Sequence, residues 1–263
     1  MQRPVALVTG AARGMGAATV ARLVADGWSV VATDICADEP AIPYGMGTLA
    51  ELEAVAAAGG EFVTPVVADV RDQAAMRAAV ATAVDLFGRL DAAIAVAGVF
   101  AAGDRLWEVS DAEWDAVVDI DLRGVFHTAR AAIPAILESP EPWRGRFVAI
   151  ASTAAMVGLK NMAPYVAAKH GVVGLVRSLA VDLSGTGVTA NAVAPGSTRT
   201  AIIEASAAAY DTDVGEFAEH QRPIGRLIEP DEIAGAVAYL CSEAAAAVTG
   251  IVLPVDGGMT STI

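Results

Sequence analysis

Short runs of apolar residues, many of them β-branched, alternate along this chain with longer alanine-rich stretches of helical pattern. Seven such runs occur, from "PVALVTG" at the start to "GIVLPVDGG" at the end. They lack the polar alternation of strands with one face in water, so each is expected to be buried on both faces. Strands that alternate regularly with helices predict a parallel sheet joined by right-handed crossovers. We therefore predict an α/β fold, doubly wound, whose seven-stranded parallel sheet carries helices on both faces.

Length and composition agree with one domain. The chain has 263 residues, near the upper limit for one hydrophobic core, and hydrophobic residues make up 55% of it. No linker, repeat or low-complexity segment divides the sequence. We predict a single domain over residues 1–263.

The charge and the cysteines argue against several classes of function. A net charge of −14 without a basic run repels nucleic-acid phosphates and anionic lipid, so we expect no nucleic-acid partner and no membrane partner. No apolar run reaches the ~18 residues of a membrane span. The first strand begins too early to leave room for a signal peptide. Cys36 and Cys241 lie far apart and make no disulfide framework, so we expect a cytoplasmic protein.

The first predicted strand runs into "TGAARGMG", residues 9–16, and a helical pattern follows at once. Glycines allow a tight turn and let the backbone approach a pyrophosphate, whose charge suits the free amides at a helix N-terminus. The pattern alone is weak evidence, but its place between a strand and a helix supports it. We predict a Rossmann-type dinucleotide site rather than a glycine-rich turn without ligand. Its candidate residues are Gly10, Arg13, Gly14, Met15 and Gly16.

A carboxylate ends the second predicted strand. Asp34 lies eighteen residues beyond Gly16, close to the ~20 typical of the residue that binds the adenosine ribose. Asp34 can accept hydrogen bonds from that ribose and would repel a 2′-phosphate, whereas the Arg13 cation could meet one. We weigh Asp34 more heavily and predict NAD, with Ile35 and Cys36 also beside the cofactor. The alternative is a solvated carboxylate at a strand end.

Tyr165 and Lys169 lie four residues apart on a predicted helix, so the phenol and the ammonium share one face. A nearby cation favours phenolate, which moves the tyrosine pKa toward a range useful for a general base. The alternative is an ordinary surface pair of little energy. Ser152 ends the fifth predicted strand, at the sheet edge where ligands bind, and its hydroxyl can hold a substrate oxygen. Judged alone, Ser152 is equally well explained as a helix N-cap.

The motifs follow one another in a specific order: "TGAARGMG", Asp69-Val70 after the third strand, "AVAG" after the fourth, Ser152, "YVAAK", "NAVAPGSTRT" and "VDGG". Over its whole length the chain resembles the short-chain dehydrogenase/reductase family. The resemblance implies that Tyr165 exchanges the substrate hydroxyl proton and that Ser152 orients the substrate oxygen. Lys169 would hold the nicotinamide ribose and lower the tyrosine pKa.

The same resemblance implies further cofactor contacts and an assembly. Asp69 and Val70 would flank the adenine, and hydride would pass between an alcohol carbon and NAD in either direction. Family members are usually homotetramers packed through their two long helices, so we expect a homotetramer. The remaining candidate cofactor-binding residues are Ala97 and Gly98 and, toward the nicotinamide carboxamide and the phosphates, Pro195, Gly196, Thr198 and Thr200.

Two positions depart from the family pattern. Residues 95–98 read "AVAG" where the family has Asn-Asn-Ala-Gly, which we expect to change strand packing more than chemistry. In "DIDLRGVF", Asp121 stands in place of a catalytic asparagine that works largely through its backbone carbonyl and a water. Asp121 stays a candidate catalytic residue, and if ionised it would raise the pKa values of Lys169 and Tyr165. The alternative is that Asp121 caps a helix kink.

Residues 35–47, "ICADEPAIPYGMG", form an insertion after the second predicted strand. Thr48 and Glu51 predict a capping box that starts the next helix, which leaves thirteen loop residues where 2–6 are usual. The stretch resembles the insertion of the mycofactocin-coupled, carveol-dehydrogenase-like subfamily. That resemblance implies an insertion that covers NAD so that it does not readily exchange, and a mycofactocin-type redox carrier that reoxidises it in place. The alternative is a surface loop without function.

Residues 196–228 follow the sixth predicted strand and are expected to cover the substrate as a lid. Ile202, Ile203, Tyr210 and Phe217 would give this lid an apolar wall, which predicts a small apolar alcohol or ketone as the substrate. The alternative is that these side chains dock the lid onto its own core.

Three functions remain open, and an NAD-dependent alcohol dehydrogenase for apolar, mainly secondary, alcohols or ketones is the first. A 3-oxoacyl thioester reductase of the same fold would use NADPH and often has basic residues at its entrance, which Asp34 and the acidic surface disfavour. A non-catalytic dinucleotide-sensing regulator is disfavoured because Ser152, Tyr165 and Lys169 are all present. The histidines are scattered without metal-ligand spacing, so we expect no metal.

Overall fold

The computed structural model describes residues 3–261. Its strands are β1 Val5–Thr9, β2 Ser29–Asp34, β3 Val63–Val67, β4 Ala92–Ala95, β5 Arg146–Ile150, β6 Thr189–Pro195 and β7 Val252–Val255. They form one parallel sheet in the order β3-β2-β1-β4-β5-β6-β7. This arrangement confirms the predicted doubly wound α/β fold with its seven-stranded parallel sheet.

Helices cover both faces of the sheet. They are α1 Gly14–Ala25, α2 Leu49–Gly59, α3 Gln73–Phe87, α4 Asp111–Val118, α5 Gly124–Leu137, α6 Ala163–Asp182, α7 Ala201–Ala209, α8 Glu216–Glu219 and α9 Pro230–Cys241. One core lies between the sheet and α3 to α6, and a second lies between the sheet and α1, α2 and α9. Within residues 3–261, no helix is both long and apolar enough to cross a bilayer.

Burial of the strands follows their place in the sheet. Every residue of β1, β2, β4, β5 and β6 is buried, as expected for strands covered on both faces. The strands β3 and β7 lie at the two edges of the sheet. After its buried first residue, β3 alternates between half-buried and exposed residues, whereas β7 is mostly half-buried. Pro65 is tolerated in β3 because an edge strand does not need every backbone amide for the ladder.

The helical region that begins after Ser110 is interrupted. A π-helical turn over Asp119–Arg123 separates α4 from α5, and it contains the buried Asp121. Such turns occur frequently at functional sites. A helix kink at Asp121 was an alternative in the sequence analysis, but the π-helical turn itself was not predicted, because Asp119–Arg123 contains no glycine or proline to mark it.

The two long connections leave from the carboxyl edge of the sheet. Residues 35–48 contain neither helix nor strand, and Thr48 caps α2 with both bonds of the predicted capping box to Glu51. The second connection, between β6 and α9, contains α7 and α8. Its ends are held together by a bridge between Thr198 and Ile228.

The first strand is tied to the segment that follows β4. The Thr9 hydroxyl oxygen accepts hydrogen bonds from the amides of Val96 and Ala97, both at 3.1 Å. The neighbouring strands β1 and β4 mark the point at which the strand order reverses, and a ligand crevice opens there in such sheets. Thr9 therefore holds the floor of that crevice.

We expect Thr9→Val to lower the free energy of unfolding by about 2–3 kcal/mol, because two backbone amides lose their shared acceptor without a change of shape. Urea unfolding at constant protein concentration measures this change. Thr82→Val is the matched control, since the Thr82 hydroxyl bonds only the Ala78 carbonyl of its own helix. A Thr9→Val protein as stable as the control would contradict the role given to this hydroxyl.

Candidate active site

Two adjoining cavities open at the carboxyl edge of the sheet. One, of about 780 Å³, lies over the loop between β1 and α1, and the other, of about 580 Å³, lies between the end of β5 and the segment from α7 to α8. The residues that line both are Met15, Val96, Gly98, Thr200 and Ile202. A ligand in the larger cavity therefore reaches the wall of the smaller one.

The glycine loop has the backbone that its sequence predicts. Gly10 and Gly14 have φ values of +65° and +56°, which favour glycine, and a Cβ at Gly16 would lie 1.9 Å from the Gly10 carbonyl oxygen. Helix α1 begins at Gly14 without a side-chain cap, so its first amides lack intrahelical partners. The end of α1 can thus receive an anion from the larger cavity.

The wall of the larger cavity contains most of the predicted cofactor residues. They are Gly10, Arg13, Gly14, Met15, Gly16, Asp34, Ile35, Asp69, Val70, Ala97, Gly98 and Thr200. Cys36 is half-buried, has a φ of +53° and does not line the cavity. Pro195, Gly196 and Thr198 line the smaller cavity instead.

Asp34 is held by backbone groups at the far end of this cavity. Its carboxylate oxygens accept hydrogen bonds from the amides of Ala12 and Cys36, both at 3.1 Å. A Cβ at Gly47 would lie only 3.1 Å from one of those oxygens, so the insertion packs directly against the carboxylate. The Arg13 guanidinium donates to the Gly45 carbonyl at 2.6 Å and is committed to the insertion.

The insertion is also attached at both ends of the larger cavity. At one end, Arg71 bridges Glu39 and Asp69, with nitrogen to oxygen distances of 2.5 and 2.8 Å. At the other, the Tyr44 hydroxyl oxygen accepts a hydrogen bond from the Phe100 amide at 2.8 Å. These attachments and the buried Ile42 were not predicted in detail; the only signal in the sequence was a long loop with apolar residues.

The smaller cavity brings together the four candidate catalytic residues, Ser152, Tyr165, Lys169 and Asp121. Tyr165 and Lys169 share one face of α6, with the Lys169 Nζ 5.4 Å from the centre of the tyrosine ring. Ser152 follows β5, and its hydroxyl also accepts a bond from the Ala154 amide at 3.1 Å. Ser152 therefore caps the helical turn that follows it and also lines the smaller cavity.

Asp121 forms a buried ion pair with Lys169. Its Oδ2 lies 3.0 Å from the Lys169 Nζ, and its Oδ1 accepts from the Val99 amide at 2.7 Å. Lys169 also donates to the Ile150 carbonyl at 3.2 Å. The Asp121 carboxylate thus bonds groups of other elements, which does not fit the alternative of a cap on a helix kink.

Burial and charge shift the pKa values of this group. Burial raises the pKa of Tyr165 and outweighs the Lys169 ammonium, which acts in the expected direction and lowers it; the Asp121 carboxylate adds to the rise. Burial lowers the pKa of Lys169, but Asp121 and Tyr165 together outweigh it, so this pKa is raised.

Burial also raises the pKa of Asp121, which favours a neutral carboxyl group, whereas the raised pKa of Lys169 favours a charged pair. Both oxygens of Asp121 face donors, the Val99 amide and the Lys169 ammonium. An arrangement with donors on both oxygens stabilises a carboxylate, so we assign an ion pair.

The segment from α7 to α8 supplies the outer wall of the smaller cavity. Ile202, Ile203, Tyr210 and Phe217 all line it, and the Tyr210 hydroxyl donates to the Lys160 carbonyl across the opening at 2.5 Å. The sequence analysis missed several further lining residues: Phe100, Leu159, Lys160, Met162, Glu216, Glu219 and His220. Of these, the apolar residues before Tyr165 could have been found from their place beside it.

These residues fit a dinucleotide. The larger cavity combines an uncapped helix N-terminus with a carboxylate at a strand end, which are the groups that bind a pyrophosphate and a ribose. Its volume lies within the range of cofactor sites. Within residues 3–261, no group of three or more His, Cys, Asp or Glu side chains is arranged to hold a metal ion.

Comparisons with known proteins agree with this geometry. A family model described as "Enoyl-(Acyl carrier protein) reductase" matches residues 10–260. An uncharacterized oxidoreductase of Mycobacterium tuberculosis is 39% identical over 99% of this chain and 97% of its own length. The (−)-trans-carveol dehydrogenase of Rhodococcus erythropolis is 35% identical over 97% of each chain.

A solved structure agrees as well. The crystal structure of carveol dehydrogenase from Mycobacterium avium in complex with NAD matches with a TM-score of 0.93 and 31% identity, over 100% of this chain and 99% of that one. The predicted resemblance to carveol dehydrogenases is thereby confirmed. The chain belongs to the short-chain dehydrogenase/reductase family of oxidoreductases.

Proposed function

We propose that this chain is an NAD-dependent alcohol dehydrogenase that interconverts small apolar secondary alcohols and ketones. The observation that carries the proposal is the convergence of Ser152, Tyr165 and Lys169 on a cavity of about 580 Å³ that adjoins a dinucleotide-shaped one. The apolar side chains of Phe100, Met162 and the lid support an apolar substrate. The lid is the segment over residues 196–228.

The roles of the residues follow from their chemistry. In the oxidative direction, the Ser152 hydroxyl donates a hydrogen bond to the substrate oxygen, and the Tyr165 oxygen takes the proton of the substrate hydroxyl. The Lys169 ammonium stabilises the phenolate that accepts this proton, and Asp121 keeps the ammonium charged. Bound NAD supplies the acceptor for the hydride that leaves the alcohol carbon.

Two contacts support NAD over NADP. A 2′-phosphate on the adenosine ribose would have to approach the buried Asp34 carboxylate. Two like charges at such short range cost several kcal/mol. Arg13, the cation that could have met such a phosphate, donates to the Gly45 carbonyl instead. NAD is also named in the structure of the carveol dehydrogenase relative.

We further propose that the insertion holds NAD between turnovers. It crosses the larger cavity from the Arg71–Glu39 ion pair to the Tyr44–Phe100 hydrogen bond, and it has to open before a nucleotide can leave. An enzyme with a retained nucleotide needs an electron acceptor that comes to it. We propose that a mycofactocin-type redox carrier is this electron acceptor, because the insertion resembles that of the mycofactocin-coupled subfamily.

The alternative functions are supported less well. A 3-oxoacyl thioester reductase acts on a carrier with a phosphate, but the lid presents Glu216 and Glu219 to the smaller cavity. A regulator without catalysis would not need a buried lysine and a half-buried tyrosine beside a serine.

We also propose a homotetramer, since α5 and α6 expose the apolar side chains Phe126 and Val181.

We expect Tyr165→Phe to lower kcat for alcohol oxidation by about 10²–10⁴-fold, because the variant keeps the ring and loses the group that takes the proton. Steady-state rates with an alcohol panel measure this loss, and the nucleotide content of the purified variant is the control for folding. Turnover in Tyr165→Phe as fast as in the parent enzyme would remove Tyr165 from the proton transfer, and no turnover in either protein would favour the regulator.

Asp121→Asn is expected to move the rise of kcat/KM for oxidation to lower pH. The Asp121 charge raises the pKa of Tyr165, so removing it lowers that pKa, and the base is then free of its proton at a lower pH. The asparagine still offers an oxygen to the Val99 amide. A pH profile identical to that of the parent enzyme would remove Asp121 from the proton relay.

Purified protein is expected to contain NAD(H), and not NADP(H), at close to one equivalent. Mass spectrometry of the nucleotide released on denaturation tests this. Glu39→Gln is expected to release the nucleotide on dialysis, because it breaks the ion pair to Arg71. Protein that is free of nucleotide and turns over rapidly with added NAD would refute the retained cofactor, while leaving the dehydrogenase proposal intact.

A further inference from the structure

The backbone that follows β4 is held by side chains from three separate elements. Thr9 of β1 accepts from the amides of Val96 and Ala97. Asp121 of the π-helical turn accepts from the Val99 amide at 2.7 Å. The next amide, that of Phe100, donates to the Tyr44 hydroxyl of the insertion at 2.8 Å. The insertion therefore completes the support of a segment that lines both cavities.

Phe100 transmits this contact to the catalytic centre. Its ring lies edge-on against the Tyr165 ring, with centroids 5.6 Å apart and an angle of 75° between the planes. Phe100 is 3% exposed and lines the smaller cavity, whereas Tyr44 lines the larger one. Phe100 thus contacts the insertion through its backbone amide and Tyr165 through its ring.

We propose that Tyr44 is a positioning residue for the substrate site, and that it acts through Phe100 on the wall beside Tyr165. The insertion then has a task besides its contact with the nucleotide. It fixes the backbone of Phe100, so that the ring forms one side of the substrate cavity and excludes water from the tyrosine. The proposal rests on the proposed dehydrogenase function, because it assigns the substrate to the cavity with Tyr165.

The Phe100 amide depends on its hydrogen bond to the Tyr44 hydroxyl. The Phe100 amide is buried, and without the Tyr44 oxygen it has to move toward water or stay unsatisfied. Either response displaces the ring that packs on Tyr165. A substrate large enough to touch Phe100 is affected by that displacement, whereas a substrate too small to reach it is affected less.

The test compares Tyr44→Phe with Asp38→Ala, which loosens the same insertion by removing the acceptor of the Met46 amide. Oxidation of 1-phenylethanol and of 2-propanol is measured with an artificial electron acceptor. In Tyr44→Phe the ratio of the two kcat/KM values is expected to fall about fivefold, the size of one lost buried hydrogen bond. In Asp38→Ala this ratio is expected to stay within about twofold of the parent value, because the hydrogen bond that is lost is exposed.

A second variant keeps the test independent of the folding of Tyr44→Phe. Phe100→Leu removes the ring and is expected to lower the same ratio by about as much. The double variant should add little, because residues that act through one contact are not additive. Equal ratios in Tyr44→Phe and the parent, or an equal fall in Asp38→Ala, would overturn the proposal, as would an additive double variant.

Hydrogen exchange separates this proposal from the proposed function. Tyr44→Phe is expected to accelerate exchange about tenfold in the peptide over residues 96–104, with a smaller rise around Tyr165, and Asp38→Ala is expected to leave both unchanged. If no variant and no parent enzyme oxidises either alcohol, the dehydrogenase assignment fails. The exchange result then still decides whether Tyr44 positions Phe100, and unchanged exchange in Tyr44→Phe refutes it.

Discussion

The parallel direction of all seven strands is the constraint on which both cavities depend. Parallel strands end at one edge, so the segments that follow β1, β2, β4, β5 and β6 meet there although they are far apart in the chain. A sheet of this kind has to be covered on both faces, and the two helical layers provide that cover. The glycine loop, Asp34 and Ser152 owe their proximity to this edge, and Thr9 holds its centre together.

A buried charge is the second organising feature. A lysine that is 3% exposed would be costly without a partner, and Lys169 has both the Ile150 carbonyl and the Asp121 carboxylate. Where the family carries a neutral amide, this chain carries a full negative charge, so the ammonium is compensated within the protein. The same carboxylate also holds the Val99 amide. One side chain therefore influences both the charge beside Lys169 and the backbone of the cavity wall.

Local patterns were sufficient to predict the sheet and the place of the site. Apolar runs without alternation gave the buried strands, and the Thr48 capping box gave the start of α2. The end of β5 placed Ser152, and the spacing along α6 placed Tyr165 and Lys169, in the wall of one cavity. The contacts of the insertion could not be predicted in the same way. Tyr44 lies 56 residues from Phe100, and Arg13 lies 32 residues from Gly45, so neither bond leaves a periodic signal in the sequence. The π-helical turn escaped prediction because a single widened turn has no residue pattern of its own, and Asp119–Arg123 contains no glycine or proline to mark it.

The wall that the two cavities share restricts how such an enzyme can change during evolution. A substitution at Met15, Val96, Gly98, Thr200 or Ile202 alters the space for the nucleotide and for the substrate at once. A substitution there that enlarges the smaller cavity also changes the wall of the larger one. The outer wall, with Leu159, Tyr210 and Phe217, touches only the smaller cavity and is free of that conflict. We expect sequence divergence between relatives of different substrate range to be concentrated there.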